Sequence, residues 1–218
     1  SLVRICHGQL GAPRLGIAFA HLTAYSHRTC RSRTGDHAAG PQYRNRTIRR
    51  QIHLCRRGDG PLMKGSVWPG LCNFPDYTRP QVREWWAGLF KELIGDIGVR
   101  GVWNDMNEPA VSDGPGGTMP PDTPHRIDEP GFARRDATHR EVHNIYGMQN
   151  SRATYDGLRA LAPERRPFVL TRATFAGGHR YAATWTGDNS ATWNHVRLGI
   201  AQVLNLGLSG FALSGADL

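Results

Sequence analysis

Asp105 and Asp188 are the residues of this sequence that point most directly to chemistry, because each falls just beyond a short apolar run that reads as a buried strand. Two carboxyl groups presented from different strands to one pocket are what cleavage of a glycosidic bond needs. One attacks the anomeric carbon and the other protonates the departing oxygen. Position alone leaves both open to a plain reading as loop or cap aspartates, and Glu108 competes with Asp105 for the part of nucleophile. Arg172, also just after a strand, could bind hydroxyl groups or hold a carboxylate ionised, or could be an ordinary ion pair. Trp103 and Trp185 at strand ends have core filling as their bland alternative. His139 and His143 stand at i and i+4, the spacing of two metal ligands on a helix face. No third ligand is evident, so no metal site and no cofactor are expected.

The elements that must position these residues alternate. Residues 79–94 place Val82, Trp85, Trp86, Leu89, Phe90, Leu93 and Ile94 on one helical face, with Thr78 as N-cap and Gly95 beyond the end. Val99 to Trp103 reads as a strand delivering Asn104, Asp105, Met106, Asn107 and Glu108. Asp113 to Gly131, rich in Pro and Gly, reads as loop. A helix over 141–161 follows, with Ile145, Met148, Tyr155, Leu158 and Leu161 inward. Next come strands at Pro167 to Thr171 and Ala182 to Thr186, a helix from Thr192 to Leu206 stopped by Gly207, and a strand at Gly210 to Ser214. This order implies a parallel sheet covered by helices. Polar residues at the C-terminal ends of four successive strands favour a (β/α)8 barrel over an open doubly wound sheet, and no G-x-G-x-x-G turn speaks for the latter.

The bulk numbers need to be read in two parts. The net charge of +9 would suggest a polyanionic partner, but residues 1–57 contain 11 Arg, no Lys, one Asp and no Glu, while the remainder holds 16 basic and 17 acidic residues. Residues 1–57 also lack helical or strand periodicity, and apolar pieces such as Leu15 to Leu22 stand isolated. They read as an anomalous segment: residues translated out of frame, a disordered extension, or a basic tail. The tail would make the protein a nucleic-acid binder marked by steep salt dependence, and the even charge of the remainder argues against that. Cys6, Cys30, Cys55 and Cys72 form no C-x-x-C pair and read as free thiols. No apolar run is long enough to span a membrane and no signal peptide is seen, so no membrane partner is expected and a cytoplasmic protein is preferred.

The run Gly101-Val-Trp-Asn-Asp-Met-Asn-Glu-Pro109 resembles the nucleophile signature of glycoside hydrolase family 31. Thr171-Arg-Ala-Thr-Phe-Ala-Gly-Gly-His-Arg-Tyr-Ala-Ala-Thr-Trp-Thr-Gly-Asp-Asn189 resembles the signature of its acid/base. Val67-Trp-Pro-Gly70 with Phe74-Pro-Asp76, Thr118-Met-Pro120 with His125, His143-Asn-Ile-Tyr-Gly147 and Phe211-Ala-Leu-Ser-Gly-Ala-Asp217 agree in order. The likeness is strongest to bacterial α-glucosidases and glucosidase II. It implies a catalytic (β/α)8 barrel over 58–218 and retaining release of terminal α-linked glucose, with α-xylosidase or α-glucan transfer as the alternative chemistry. Asp105 would be the nucleophile and Asp188 the acid/base. Trp103, Met106, Arg172, Trp185 and Asp217 would line the sugar site, and Glu108 would hydrogen-bond within its loop.

Members of that family carry a Trp-x-Asp-x-Asp run upstream of the Trp-Pro-Gly piece, and later strands beyond the Asp217 segment. Neither is found here, so the expectation is a partial barrel of four or five middle strands, with edges unpaired and activity in isolation in doubt.

Overall fold

The computed structural model describes residues 17–21, 53–67 and 70–217. Its centre is a five-stranded parallel sheet in the order β1 (Ile17–His21), β4 (Gly101–Asp105), β7 (Val169–Thr171), β8 (Ala183–Trp185) and β9 (Ser214–Gly215). Every strand pairs with the next sheet strand in sequence. An open doubly wound sheet reverses its strand order at a switch point, whereas a barrel adds strands in one direction, so this order is that of a barrel segment.

Two antiparallel hairpins decorate the sheet: β2 (Lys64–Val67) with β3 (Gly70–Asn73), and β5 (Pro124–Ile127) with β6 (Arg135–Thr138). The second begins inside the stretch read from sequence as loop. Helix α1 (Pro80–Gly88) is followed by a wider turn over Glu92–Asp96, so the predicted helix over 79–94 is divided. Thr78 does not cap it, since its hydroxyl bonds Asp76 Oδ1 at 2.6 Å and the Arg126 carbonyl at 3.0 Å. Helix α2 (His139–Leu161) starts on a capping box formed by Thr138 and Glu141, and α3 (Trp193–Leu208) on the Thr192 side chain.

The inward face of α2 is rotated from the predicted stripe. Of the predicted stripe Met148 and Leu158 are buried, as are Val142, Tyr146, Asn150, Ala153 and Thr154, while Ile145, Tyr155 and Leu161 are only half-buried. The cause lies under the helix, where Asn104 and Asn107 offer partners to Asn150 and Thr154. Helices α1 and α2 meet at Gly157, where an added Cβ would stand 2.7 Å from the Ala87 Cβ. A Gly157→Val exchange is therefore expected to push the helices apart and cost about 1–3 kcal/mol, read as a lowered midpoint in urea unfolding.

β1 lies in the segment for which the sequence suggests no element, yet it pairs with β4 from Ile17↔Gly101 to His21↔Asp105. At the other end of that segment, Leu54 and Arg56 bridge to Pro75 and Leu62, and Cys55 is 2% exposed, so barrel packing extends upstream of residue 58. The rest of the Arg-rich stretch, and the competing readings of it, fall outside the described residues. Cys55 and Cys72 are free and buried. Among the described residues no helix is long and apolar enough to cross a membrane.

Candidate active site

Strand alternation builds the site. Along β4, Val102 and Asn104 are fully buried toward the helices, while Trp103 and Asp105 are part-exposed on the opposite face. Asn104 Nδ2 donates to the Thr154 hydroxyl at 3.0 Å, which also receives Trp86 Nε1 at 3.0 Å, so the polar residue behind the strand is satisfied by α2 and α1. That anchoring fixes the orientation of the next residue, Asp105. The chain then turns through Met106 with φ of 57°, an uncommon conformation for a side chain of this size. The turn lets Asp105 Oδ1 accept the Met106 amide at 2.8 Å and drops Asn107 inward. Asn107 is fully buried, donating from Nδ2 to Thr171 Oγ1 at 2.9 Å and to the Gly147 carbonyl at 3.2 Å. A Cβ on Gly147 would lie 2.7 Å from the carbonyls of Asn107 and Ala173, so only glycine admits this approach. Asn107 thus ties the loop after β4 to the end of β7, where Arg172 follows.

Arg172 is the hub. Its Nε donates to Glu108 Oε1 at 2.8 Å and lies 3.3 Å from Asp105 Oδ1, its Nη2 reaches Glu108 Oε2 at 3.4 Å, and its Nη1 donates to Asp188 Oδ2 at 3.1 Å. Burial alone would lower the guanidinium pKa, but the bond to Glu108 and the charges of Glu108, Asp105 and Asp188 raise it overall. Its carbon also sits 5.9 Å from the Trp185 ring centre. Trp185 meets Trp103 edge-to-face at 4.8 Å, which makes an apolar wall beside the carboxylates.

The structure therefore gathers Asp105, Arg172, Asp188, Trp103 and Trp185, with Met106 in the turn between Asp105 and Asn107. Asp217 is set apart: its carbonyl accepts Asn189 Nδ2 at 3.1 Å, and its residue is exposed beyond β9. Glu108 differs from expectation, since its carboxylate bonds Arg172, just after β7, and not its own loop. A contact between residues so far apart in the chain leaves no signal in spacing. Asn107 and Thr171 were likewise missed as supports, although both stand inside the two quoted runs.

His139 Nε2 and His143 Nδ1 are 3.1 Å apart and bonded to each other. His139 Nδ1 meets His125 Nε2 at 3.1 Å, and His125 Nδ1 meets Asp76 Oδ1 at 2.8 Å. Cys55, Asp76 and His125 form a buried trio of metal-ligand types within 4.8 Å. Asp76 accepts bonds from Thr78, Arg126 and His125, and Cys55 Sγ lies 4.0 Å from His125 Nδ1.

Comparison with known proteins fits this geometry. The profile of the Glycosyl hydrolases family 31 TIM-barrel domain matches residues 31–218. Alpha-glucosidase 2 of Bacillus thermoamyloliquefaciens is 44% identical over 168 residues, covering 77% of this chain and 20% of its own length. Human neutral alpha-glucosidase AB is 46% identical over 162 residues, covering 73% of this chain and 16% of its own. The chain thus spans about a fifth of the length of these relatives. Among solved structures, a glucosidase II alpha subunit superposes with a TM-score of 0.72 at 35% identity, over 94% of this chain and 20% of that one. A family 31 alpha-glucosidase from Bacteroides thetaiotaomicron gives 0.67 at 34% identity, over 93% of this chain and 29% of that one. This chain belongs to glycoside hydrolase family 31, as part of its TIM-barrel domain.

Proposed function

We propose that the chain carries the catalytic centre of a retaining α-glucosidase, acting on terminal α-linked glucose. The observation that supports this most is the single guanidinium of Arg172 in contact with both Asp105, at 3.3 Å, and Asp188, at 3.1 Å, which draws two carboxylates from different strands to one place. The names of the relatives add the glucoside.

In the first step Asp105 attacks the anomeric carbon as the bond to the aglycone breaks, and Asp188 gives its proton to the departing oxygen. In the second, Asp188 takes a proton from water, which displaces Asp105 and restores both groups. The two carboxylates are unlike in setting. Asp105 has a side chain 18% exposed and is held by a backbone amide and Arg172, as suits a nucleophile that must not wander, whereas Asp188 is 80% exposed and can follow the proton. Trp103 and Trp185 offer an apolar face to the sugar ring.

The test is hydrolysis of 4-nitrophenyl α-glucoside by the chain and by a hybrid in which residues 58–218 replace the matching stretch of a family relative, followed by NMR. Glucose should be released first as the α-anomer, and Asp105→Ala should abolish release. Release of the β-anomer, or turnover undiminished in Asp105→Ala, would overturn the assignment.

A further inference from the structure

We propose that Glu108 is a positioning residue: it occupies one whole edge of the Arg172 guanidinium and thereby sets how strongly that charge acts on Asp105 and Asp188. The inference rests on the α-glucosidase reading for its kinetic consequence, but not for its geometry. Glu108 takes Nε and Nη2 with its two oxygens, at 2.8 and 3.4 Å, in the fork that planar guanidinium and carboxylate groups favour. Only Nη1 then remains turned to Asp188.

Two consequences follow. The plane of Arg172 is locked, so the contact to Asp188 has a fixed direction although the Asp188 side chain is largely solvated. The charge is also shared, with three carboxylates drawing on one cation, so a proton carried by Asp188 relieves an excess of negative charge. Removing the Glu108 charge would leave Arg172 to Asp105 and Asp188 alone and hold both more firmly as anions. That helps the nucleophile and harms the acid. From the first turn of α3, His195 accepts the Ser190 amide, and from beyond β9 the carbonyl of Asp217 accepts Asn189. The neighbour on β8, Trp185, is uncharged.

The first readout needs no turnover. In arginine side-chain NMR spectra of the full 218-residue chain, the Arg172 Nε–H should exchange with solvent slowly. It should exchange at least about tenfold faster in Glu108→Ala and regain protection in Glu108→Asp. Unchanged exchange in Glu108→Ala overturns the proposal. The second is the pH profile of kcat/KM for 4-nitrophenyl α-glucoside in Glu108→Gln, which keeps the shape and removes the charge. Its alkaline limb should move to lower pH, with KM little changed. A profile superimposable on that of an active parent means that Glu108 is only a brace, and the proposal fails. Absence of hydrolysis in the parent chain sinks the activity reading instead and leaves the exchange measurement to decide. If Glu108→Ala does not fold, as judged by circular dichroism, the isosteric Glu108→Gln replaces it in the exchange experiment, with faster exchange expected and unchanged exchange again overturning the proposal.

Discussion

Replacing Asp188 by alanine is expected to slow hydrolysis of an alkyl α-glucoside by about 10²- to 10⁴-fold, because an alkoxide leaves poorly without a proton. A dinitrophenyl α-glucoside should be cleaved at close to the parental rate in the first step, since that leaving group departs unprotonated. Its second step would still stall, because the same carboxylate activates water. Azide needs no base, so adding it should restore turnover and yield the α-glucosyl azide, the product of attack from the face Asp188 occupies. The β-glucosyl azide is what azide would give if Asp188 were the nucleophile, and that product would exchange the two assignments. Exposure of Asp188 at 80% makes this variant a clean probe, since no packed core is disturbed by truncating it.

The barrel was readable in the sequence for a definite reason. Short apolar runs alternating with amphipathic stretches leave few topologies, and the polar residues at strand ends choose among them. Bounds were less legible. The strand read as Val99 to Trp103 is Gly101–Asp105, because backbone pairing continues through Asn104 and Asp105, whose polarity ends an apolar pattern early but does not end a ladder. The strand read as Gly210 to Ser214 is only Ser214–Gly215, since Phe211 is drawn into contact with His179 and leaves the sheet. The rotation of the inward face of α2 was hidden for the converse reason: Asn150 and Thr154 face inward, and a hydrophobic stripe cannot announce a polar contact. Glu108 shows the same limit at the site. Its type and place were visible, but its partner Arg172 follows another strand, and only folding makes the pair. The segment 1–57 is the plainest case, because an Arg-rich composition carries no periodicity from which the pairing of β1 could be read.

The isolated chain is expected to lose stability as the solution is acidified from pH 7 to 5, well above the range where ordinary carboxylates take up protons. The cause is the row of buried Asp76, His125 and His139 with half-buried His143, which joins the segment after β3, the β5–β6 hairpin and the start of α2. His139 is 1% exposed. Burial first, then the neighbouring His125 and His143, push its pKa down from 6.5 to about 3. In the unfolded chain it would protonate near pH 6.5, whereas in the folded chain it stays neutral until about pH 3. Unfolding therefore takes up a proton across that window, so stability falls as pH falls between those limits. The full effect is on the order of 5 kcal/mol, of which about 2 kcal/mol should appear between pH 7 and 5. Asp76 adds a second loss at lower pH. Burial would raise its pKa, but the bonds from His125, Thr78 and the Arg126 amide outweigh that and lower it, so its contribution fades as pH falls from the usual carboxylate range down through its lowered pKa. Urea unfolding at pH 7 and pH 5 gives the measurement, with His139→Gln as the control that keeps hydrogen-bonding groups but does not titrate. The variant should be less stable at pH 7 and much flatter with pH. A parent and variant that lose stability equally between pH 7 and 5 would show that His139 is not the group that senses acid.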